Sequence, residues 1–301
     1  MKYDITIIGS GPNGIALACS LADKNLKIAI IDKVPKKFLE NPSIDGREIA
    51  LTHRSAKILK KIGVWNLIPD HLISIIKEAR VLDGCSKFFL DFKHQDIKND
   101  YLGYLIPNHL IRKYLYKLLK KKNNVTSIEA ECLDISVNEK YSSLLLSNKK
   151  KIKSSLVVAA DSRFSKTRPK MGISSFVHDF NKDMIVCRME HEKYHDNIAY
   201  EYFKYDQTLA LLPYINNQSS IVTTVSKKSS SCLMKLDENK FNKQIQSNFG
   251  NFFGAMKLIG KRYCYPMITV YSKKFVADRF ALIGDAAVGM HPVTAHGFNL
   301  G

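Results

Sequence analysis

The chain has 301 residues, of which 45% are hydrophobic and 10% aromatic, and this composition excludes a disordered or fibrous protein. Lys and Arg number 46 against 28 Asp and Glu, which gives a formal net charge of +18. The excess suggests an anionic neighbour such as phospholipid, nucleic acid or a nucleotide, but lysines spread over every segment favour a drift in composition over a binding patch.

No apolar run approaches the ~18 residues that a membrane span needs, and the first residues resemble a strand rather than a signal peptide. Six cysteines lie singly along the chain, without a C-x-x-C pair and without paired histidines. This spacing argues against a disulfide framework or a metal site and fits a reducing compartment. We therefore expect a cytoplasmic protein that holds no metal.

The chain opens with a predicted β-α-β unit. Residues 3–9 form a short β-branched run closed by glycine, residues 12–23 are small and apolar as in a helix, and residues 27–32 form a second strand that ends in Asp32. The elements predicted farther along are helices over 55–68 and 108–122, strands over 125–158, mostly strands over 176–270 with one helix near 237–249, and a strand within 280–285. We find no internal repeat and no linker of disordered composition.

The turn of the β-α-β unit carries the motif G-x-G-x-x-G, with Gly9, Gly11 and Gly14. In this motif the first glycine permits a tight turn, the second lets the backbone approach a pyrophosphate, and the third allows close packing of helix on strand. Pro12 lies inside the turn, and Asp32 follows Gly14 at the end of the next strand, where a carboxylate accepts the hydroxyls of a ribose. Strand, helix and acid in register predict a dinucleotide site.

Two further strand ends carry acids, Asp161 within AADSRFSKTR (159–168) and Asp285, after Gly284, within FALIGDAAVGMHPVTAHGFNLG (280–301). Together with DGREIALTHRSAKILKKIGVW (45–65), these runs resemble the flavoprotein aromatic hydroxylases of the p-hydroxybenzoate hydroxylase type. Within that family the chain is most similar to the ubiquinone-biosynthesis hydroxylases of the UbiH, UbiF and UbiM group. Its last eleven residues are particularly similar to the UbiM type, which hydroxylates demethoxyubiquinol.

The resemblance implies an α/β fold, in which a β-rich substrate domain is inserted into a Rossmann-like FAD-binding domain. The FAD-binding domain is expected to comprise residues 1–80, 103–175 and 271–301, with its C-terminal part truncated, and the substrate domain residues 81–102 and 176–270. A second G-x-G-x-x-G motif is missing from the sequence. No separate domain for NADPH is therefore predicted.

The resemblance also implies roles for individual residues. Arg47 and Arg112 fall on FAD-contacting arginines, and Asp285 falls on the carboxylate that binds the ribityl chain. Gly297, Phe298 and Asn299 are expected to place backbone amides near the flavin pyrimidine ring. Pro292 is expected beside the isoalloxazine, and His291 before it is the accompanying catalytic candidate, although backbone geometry explains such a histidine at least as well.

The middle motif departs from the family pattern, because Asp161 is followed by Ser162 where the family has glycine. Asp161 and Arg168 are kept, so contacts with the pyrophosphate and the nicotinamide are expected. The missing glycine argues against a close approach of the backbone. Taken alone, Asp161 is equally typical of a turn and Asp285 of a helix cap.

The chemistry implied by the resemblance is the oxygenation of a polyprenylated phenol or quinol. NADH or NADPH reduces FAD, O2 forms a flavin C4a-hydroperoxide, and one oxygen atom passes to the aromatic ring. Such a substrate lives in the bilayer, so contact with the inner membrane surface and with other ubiquinone-biosynthesis proteins is expected, whereas nucleic acid is not a predicted partner. Tyr200, Tyr202 and Tyr214 are candidates for the ring site, although tyrosines at strand spacing are more typical of a core.

Two alternatives stay open at this point. The first is a flavin reductase or dehydrogenase on the same fold that transfers no oxygen. The second is a truncated, non-catalytic scaffold of the quinone-biosynthesis assembly. Bound FAD argues against the scaffold, and hydroxylated product matched to oxygen consumption argues against the reductase.

Overall fold

A computed structural model describes residues 1–84, 86, 88–290 and 296–299. The helices of these residues are α1 Pro12–Ala22, α2 Lys36–Glu40, α3 His53–Lys61, α4 Asn108–Leu119, α5 Thr167–Lys170, α6 Lys227–Lys235, α7 Glu238–Phe249 and α8 His296–Asn299. Short 3₁₀ turns cover Trp65–Leu67, Asp70–Leu72, His94–Ile97 and Gly284–Ala286.

The strands are numbered β1 to β19 in chain order. They are β1 Lys2–Ile8, β2 Ile28–Asp32, β3 Glu48–Leu51, β4 Ser74–Ile76, β5 Glu78–Asp83, β6 Phe89–Lys93, β7 Gly103–Pro107, β8 Val125–Glu129, β9 Cys132–Val137, β10 Ser142–Leu146, β11 Lys151–Ala159, β12 Ser175–His191, β13 Ile198–Lys204, β14 Gln207–Pro213, β15 Gln218–Ser226, β16 Met256–Ser272, β17 Val276–Ala277, β18 Phe280–Leu282 and β19 Val288–Gly289.

The first sheet has a parallel centre in the order β18-β11-β1-β2-β8. Its strands are continuous apolar runs; Ile28 to Ile31 of β2, for example, are each at most 1% exposed. Such runs indicate a parallel sheet covered on both faces. Helices α1 and α4 pack together on one face. Because the central strands are parallel, their carboxyl ends all lie at one edge of the sheet.

The second sheet has the order β19-β16-β12-β15-β14-β13-β5-β6, with only the β5–β13 pair parallel. Helix α7 covers one face, burying Phe241 and Ile245 against Leu209 and Leu211 of β14. The other face is turned toward the small sheet β3-β7-β4, since Ala199 packs in a cluster with Leu105 of β7. The predicted division into two domains stays a prediction.

The elements of the opening β-α-β unit were predicted to within two residues. The helix predicted over 55–68 is wrong in its second half, because α3 ends at Lys61 and Gly63 adopts φ +87°, which an extended helix does not allow. Helix α6 was missed. Its sequence KKSSSCLMK is rich in serine, which competes with the helical backbone for hydrogen bonds.

Candidate functional site

The glycine turn lies at the carboxyl edge of the first sheet, and packing of the protein itself requires two of its glycines. Gly9 has φ +109°, and a Cβ there would lie 2.4 Å from the carbonyl oxygen of Ala160. A Cβ on Gly14 would lie 2.1 Å from the carbonyl oxygen of Gly9. Both contacts are far shorter than van der Waals distance. These glycines therefore let β1, β11 and α1 approach each other.

Gly11 differs, because nothing in the protein packs against it. A Cβ built on Gly11 would meet no atom closer than the carbonyl oxygen of Ala160 at 3.9 Å. The residue has ordinary extended dihedral angles and is the N-cap of α1, with Pro12 in the first turn. Free amides and the positive end of the helix dipole face this open space. The geometry fits the pyrophosphate predicted from the motif.

Asp32 joins the end of β2 to the same turn. Its Oδ2 accepts a hydrogen bond from the Ser10 amide at 2.6 Å, and its Oδ1 accepts one from the Val34 amide at 2.9 Å. A shallow cleft opens beside this carboxylate. Its lining includes Ser10, Ile30, Asp32, Val34, Lys36, Leu39 and residues 127–129. The cleft and the fixed carboxylate are suited to a ribose and its base.

Asp161 follows β11 at the same edge, next to Gly9. Its Oδ2 accepts hydrogen bonds from the hydroxyls of Ser165 at 2.9 Å and Thr167 at 3.0 Å, and therefore holds the turn that leads into α5. Its Oδ1 is buried and has no hydrogen-bond partner within the described ranges. Because buried polar atoms are nearly always paired, this oxygen has capacity for a ligand donor. Ser162 is exposed and has no positive φ, so the turn does not need the family glycine.

Arg168 does not lie where a ligand could reach it easily. It is only 6% exposed, and its Nη1 donates to the carbonyl oxygen of Ala286 at 3.0 Å. Both terminal nitrogens also approach the carbonyl oxygen of Arg163 at 3.4 Å. The predicted contact of Arg168 with pyrophosphate or nicotinamide stays a prediction, and in this structure its guanidinium donates to backbone carbonyl oxygens. The side chain instead ties the turn after β11 to the turn after β18.

Gly284 and Asp285 follow β18 at the same carboxyl edge of the first sheet, which is here called the nucleotide edge. Gly284 has φ +56°, and a Cβ there would lie 2.7 Å from Nδ2 of Asn13 in α1. Asp285 Oδ2 lies 3.3 Å from Nη2 of Arg163. The turn after β18 is thereby in contact with both the glycine turn after β1 and the turn after β11. Sequence reasoning missed Arg163, although it lies two residues after Asp161 in the same motif.

Helix α8 closes the site from the chain's end. A Cβ on Gly297 would lie 3.3 Å from Oδ1 of Asp285. Asn299 Oδ1 accepts hydrogen bonds from the Thr52 amide at 3.0 Å and the Ser55 hydroxyl at 2.8 Å. Phe298 packs against the α1–α4 core. The predicted catalytic residues His291 and Pro292 lie outside the described residues.

Arg47 precedes β3 and is paired within the protein. Its Nη2 lies 2.8 Å from Asp45 Oδ2, and its guanidinium lies 5.4 Å from the ring centre of Tyr265. Burial raises the pKa of Asp45, but the positive charge of Arg47 and hydrogen bonds from Arg47 and Asn108 outweigh it and hold this pKa below its usual value. Arg112 is half-buried on α4. Both predicted arginine roles stay predictions.

The segment around Arg47 reaches across to the second sheet. Tyr265 donates from its hydroxyl to the carbonyl oxygen of Asp45 at 2.6 Å, and a Cβ on Gly46 would lie 2.3 Å from the Tyr263 ring. Glu48 Oε1 lies 2.6 Å from Nη2 of Arg188 on β12. Sequence reasoning missed this pair. These contacts hold one face of the second sheet, here called the inner wall, against the segment that carries Arg47.

The inner wall is defined by side chains that occupy one transverse row of the sheet. Strand pairing aligns five residues from β13 to β16, which are Glu201, Ala210, Val222, Val186 and Tyr263. Two of the predicted ring-site tyrosines lie on the opposite face, where Tyr200 and Tyr202 contact Phe253 and Phe249 edge-to-face at ring separations of 5.6 Å. The third, Tyr214, packs in the cluster with Leu105, and the Arg188 guanidinium lies 4.1 Å from its ring centre.

Comparison with known proteins identifies the family to which the chain belongs. The FAD binding domain model matches residues 2–301. A ubiquinone hydroxylase, UbiM of Neisseria meningitidis, is 40% identical over the whole chain, and UbiL of Rhodospirillum rubrum, also a ubiquinone hydroxylase, is 31% identical over 99% of it. The chain spans 66% and 69% of these two relatives. It belongs to the FAD binding domain family and, within it, to the ubiquinone-biosynthesis hydroxylases, as the motifs predicted.

Solved structures confirm the predicted fold class. The crystal structure of pqsL, a probable FAD-dependent monooxygenase from Pseudomonas aeruginosa, superimposes with a TM-score of 0.81. The two proteins are 16% identical, and the match covers all of this chain and 83% of pqsL. The similarity therefore concerns the α/β architecture with its second, β-rich layer.

Proposed function

We propose that this chain is an FAD-dependent monooxygenase that uses NADH or NADPH and O2 to hydroxylate a polyprenylated phenol or quinol in ubiquinone biosynthesis. The observation that carries the proposal is the convergence of Gly9, Asp32, Asp161 and Asp285 on one edge, bordered by the inner wall. When bound there, FAD supplies the electron transfer and oxygen activation that amino-acid side chains cannot.

The residues present fit FAD in three respects. Space lies open above Gly11, where a pyrophosphate would meet the start of α1. The Asp32 carboxylate is held beside the shallow cleft lined by Ser10 and Val34, and Asp161 Oδ1 lacks a partner within the described residues. The residues proposed to hold FAD are Gly9, Gly11, Pro12, Gly14, Asp32, Arg47, Arg112, Asp161, Gly284, Asp285, Gly297, Phe298 and Asn299.

The chain's own residues bind and orient the reactants and exclude water. Asp285 is expected to accept a hydrogen bond from the ribityl chain of FAD. Gly297 of α8 lies beside Asp285, and the backbone amides of α8 are expected to donate to the flavin ring. Val186, Val222 and Ala210 make the middle of the inner wall apolar, which suits an aromatic ring and disfavours water. His291 and Pro292 stay predictions for the flavin's immediate surroundings.

Contact with a membrane surface is part of the proposal, because a polyprenyl tail is soluble in lipid. In the described part of the chain, no helix is both long enough and apolar enough to cross a bilayer. Strand β6 forms the free edge of the second sheet and leaves Leu90 and Phe92 exposed at 64% and 51%. A contiguous apolar edge of this kind, on a chain of charge +18, fits the surface of an anionic bilayer.

Vesicle flotation tests the membrane contact. Phe92→Ser is expected to reduce binding to vesicles of anionic phospholipid several-fold, while Phe176→Ser, an equally exposed phenylalanine away from this edge, leaves binding unchanged. Equal binding of all three proteins would remove β6 from the proposal. Equal binding to neutral and anionic vesicles would remove the contribution of charge.

The activity itself is tested by stoichiometry. The FAD-loaded protein should consume one O2 and one NAD(P)H for each hydroxylated product formed from a short-tailed prenylphenol. NAD(P)H oxidation without product would identify a reductase, and failure to retain FAD would identify a scaffold. Quinone intermediates extracted from a deletion strain, with and without this gene, would then name the step.

A further inference from the structure

One carboxylate of the inner wall has no hydrogen-bond or ion-pair partner among the residues that the structure describes. Side chains alternate along β13, and Tyr200 and Tyr202 pack against the aromatic residues at the end of α7, so Glu201 between them faces the inner wall. Ala199, two residues earlier, lies on the same face and packs in the cluster with Leu105. Glu201 therefore lies on the face of the second sheet that is turned toward the small sheet.

The direct register neighbours of Glu201 are apolar, and the exposed carboxylate of Asp83, which pairs in register with Phe203, lies on the same face farther along β5. The neighbours of Glu201 are Val81 on β5 and Ala210 on β14, which carry no titratable group. The nearest cations along the sheet lie on the opposite face and are engaged there. Arg80 pairs with Glu78 and Asp91, and Lys204 donates to the carbonyl oxygen of Asn248.

Within the described ranges no hydrogen bond or ion pair reaches the Glu201 carboxylate, and burial alone raises its pKa to about 7. A half-buried carboxylate without a protein partner is only partly solvated, so a ligand donor would stabilise it. A group with a pKa near the working pH is also the most effective proton acceptor. The missing partner is therefore expected on a ligand bound against the inner wall.

We propose that Glu201 is a catalytic residue that binds the hydroxyl group of the aromatic substrate and accepts its proton during ring oxygenation. This inference rests on the proposed function, and adds to it the group that activates the ring. As the new carbon–oxygen bond forms, the O–O bond of the activated oxygen breaks, and the second oxygen atom would leave as water with NAD(P)H as the reductant. At the same time the substrate O–H bond breaks, its electron pair moves into the ring, and the proton passes to a carboxylate oxygen of Glu201. When the oxygenated carbon releases its hydrogen to solvent as a proton, the ring oxygen takes the proton back from Glu201.

The test compares Glu201→Gln with Asp206→Asn in the FAD-loaded protein, using a short-tailed prenylphenol as probe. Asp206 is an exposed carboxylate in the turn that follows the same strand, so it is a matched control. Loss of a general base typically costs about 10²- to 10⁴-fold, so Glu201→Gln should lower product formation by about 100-fold. Its FAD content should be unchanged and its melting temperature should not fall, since the substitution removes a poorly solvated charge. Asp206→Asn should behave as wild type.

Two further readouts separate proton acceptance from a structural role. Product formation by the wild type should fall as pH decreases through about 7, whereas the low rate of Glu201→Gln should lack this step and rise only as the phenol itself ionises. A ring-fluorinated probe, whose hydroxyl is more acidic, should narrow the gap between the two proteins. Glu201→Asp, which keeps the carboxylate, should retain part of the activity.

The outcomes distinguish this inference from the proposed function. If the wild type forms product and Glu201→Gln matches it across the pH range, the role of Glu201 is overturned and the proposed function stands. A gap that stays the same for the fluorinated probe also overturns it. If the wild type retains FAD and forms no product, the proposed function fails and the inference fails with it.

Discussion

The guanidinium of Arg163 lies 3.3 Å from the carboxylate of Asp285, a residue 122 positions farther along the chain. The same side chain donates from Nη1 to the carbonyl oxygen of Ile268 at 3.0 Å. Arg163 thereby fixes the orientation of Asp285 relative to the turn after β11. Two of the three strand ends that define the nucleotide edge are joined by this one residue.

Arg163→Ala should weaken FAD binding more than it weakens the fold. The two side chains are 28% and 39% exposed, so the ion pair itself contributes at most about 1 kcal/mol to stability. A misplaced Asp285 should raise the dissociation constant of FAD about tenfold, which corresponds to ~1.4 kcal/mol. Flavin fluorescence titration measures this. Lys227→Ala, which removes the comparable exposed pair with Asp179, should leave FAD affinity unchanged.

Alanine at Gly14 should lower the stability of the fold, whereas alanine at Gly11 should lower the affinity for FAD. Gly14→Ala forces a Cβ to within 2.1 Å of the Gly9 carbonyl oxygen, and the overpacking should cost about 1–3 kcal/mol or more in unfolding free energy. Gly11→Ala meets no protein atom closer than 3.9 Å, so it should unfold like the wild type and bind FAD at least about tenfold more weakly. Tight FAD binding by Gly11→Ala would place the pyrophosphate elsewhere.

Arg188→Gln should destabilise the contact between β3 and the inner wall. Glu48 has a side chain only 2% exposed, and its ion pair with Arg188 at 2.6 Å supplies its charged partner. Removing one member of a buried pair typically costs about 3–5 kcal/mol, and somewhat less is expected here because Arg188 is 27% exposed. Urea unfolding measures the loss. Adding Glu48→Gln should recover part of it, and a further loss in the double variant would contradict this role for the pair.

Stability should fall below neutral pH in part because of His195. Burial lowers the pKa of this histidine below its usual 6.5, and its Nδ1 accepts from the Asn197 amide at 3.0 Å while Nε2 faces the Tyr214 carbonyl oxygen at 2.7 Å. The unfolded chain therefore binds a proton at a higher pH than the folded one. The contribution of neutral His195 to the free energy of unfolding is complete above pH 6.5 and is lost as pH falls toward the pKa of the folded state. The free energy of unfolding should change by at most about 1.4 kcal/mol per pH unit over this range.

His195→Asn should reduce this slope in urea unfolding between pH 7.5 and 5. His71 is exposed, so His71→Asn serves as the control and should leave the slope unchanged. Equal slopes in the wild type and in His195→Asn would assign the acid sensitivity to other groups.

The sequence predicted the nucleotide edge well because its constraints are local. A glycine that must avoid a clash, such as Gly9, and an acid at the end of a strand, such as Asp32, leave a pattern that a short window reveals. The contacts that Arg168 makes within the protein could not be predicted, because they depend on residues far away in the sequence. The residues next to Arg168 in the sequence do not indicate that its guanidinium donates to the Ala286 carbonyl oxygen on a distant turn.

The inner wall could not be predicted, since it depends on which face of the second sheet α7 covers. Tyr200 and Glu201 alternate along one strand, and only the packing of Tyr200 on Phe253 assigns them to opposite faces. The pair Glu48–Arg188 joins residues 140 positions apart, and neither has a motif around it. Long-range contacts of this kind require the fold itself.

Hydrogen exchange followed by mass spectrometry, with and without FAD, tests the central claim most directly. If separate stretches of the chain hold one FAD molecule, FAD should slow exchange together in the turns at 9–14, 161–167 and 284–286, and leave α7 unchanged. Protection confined to one of these turns, or found in α7 instead, would contradict the account.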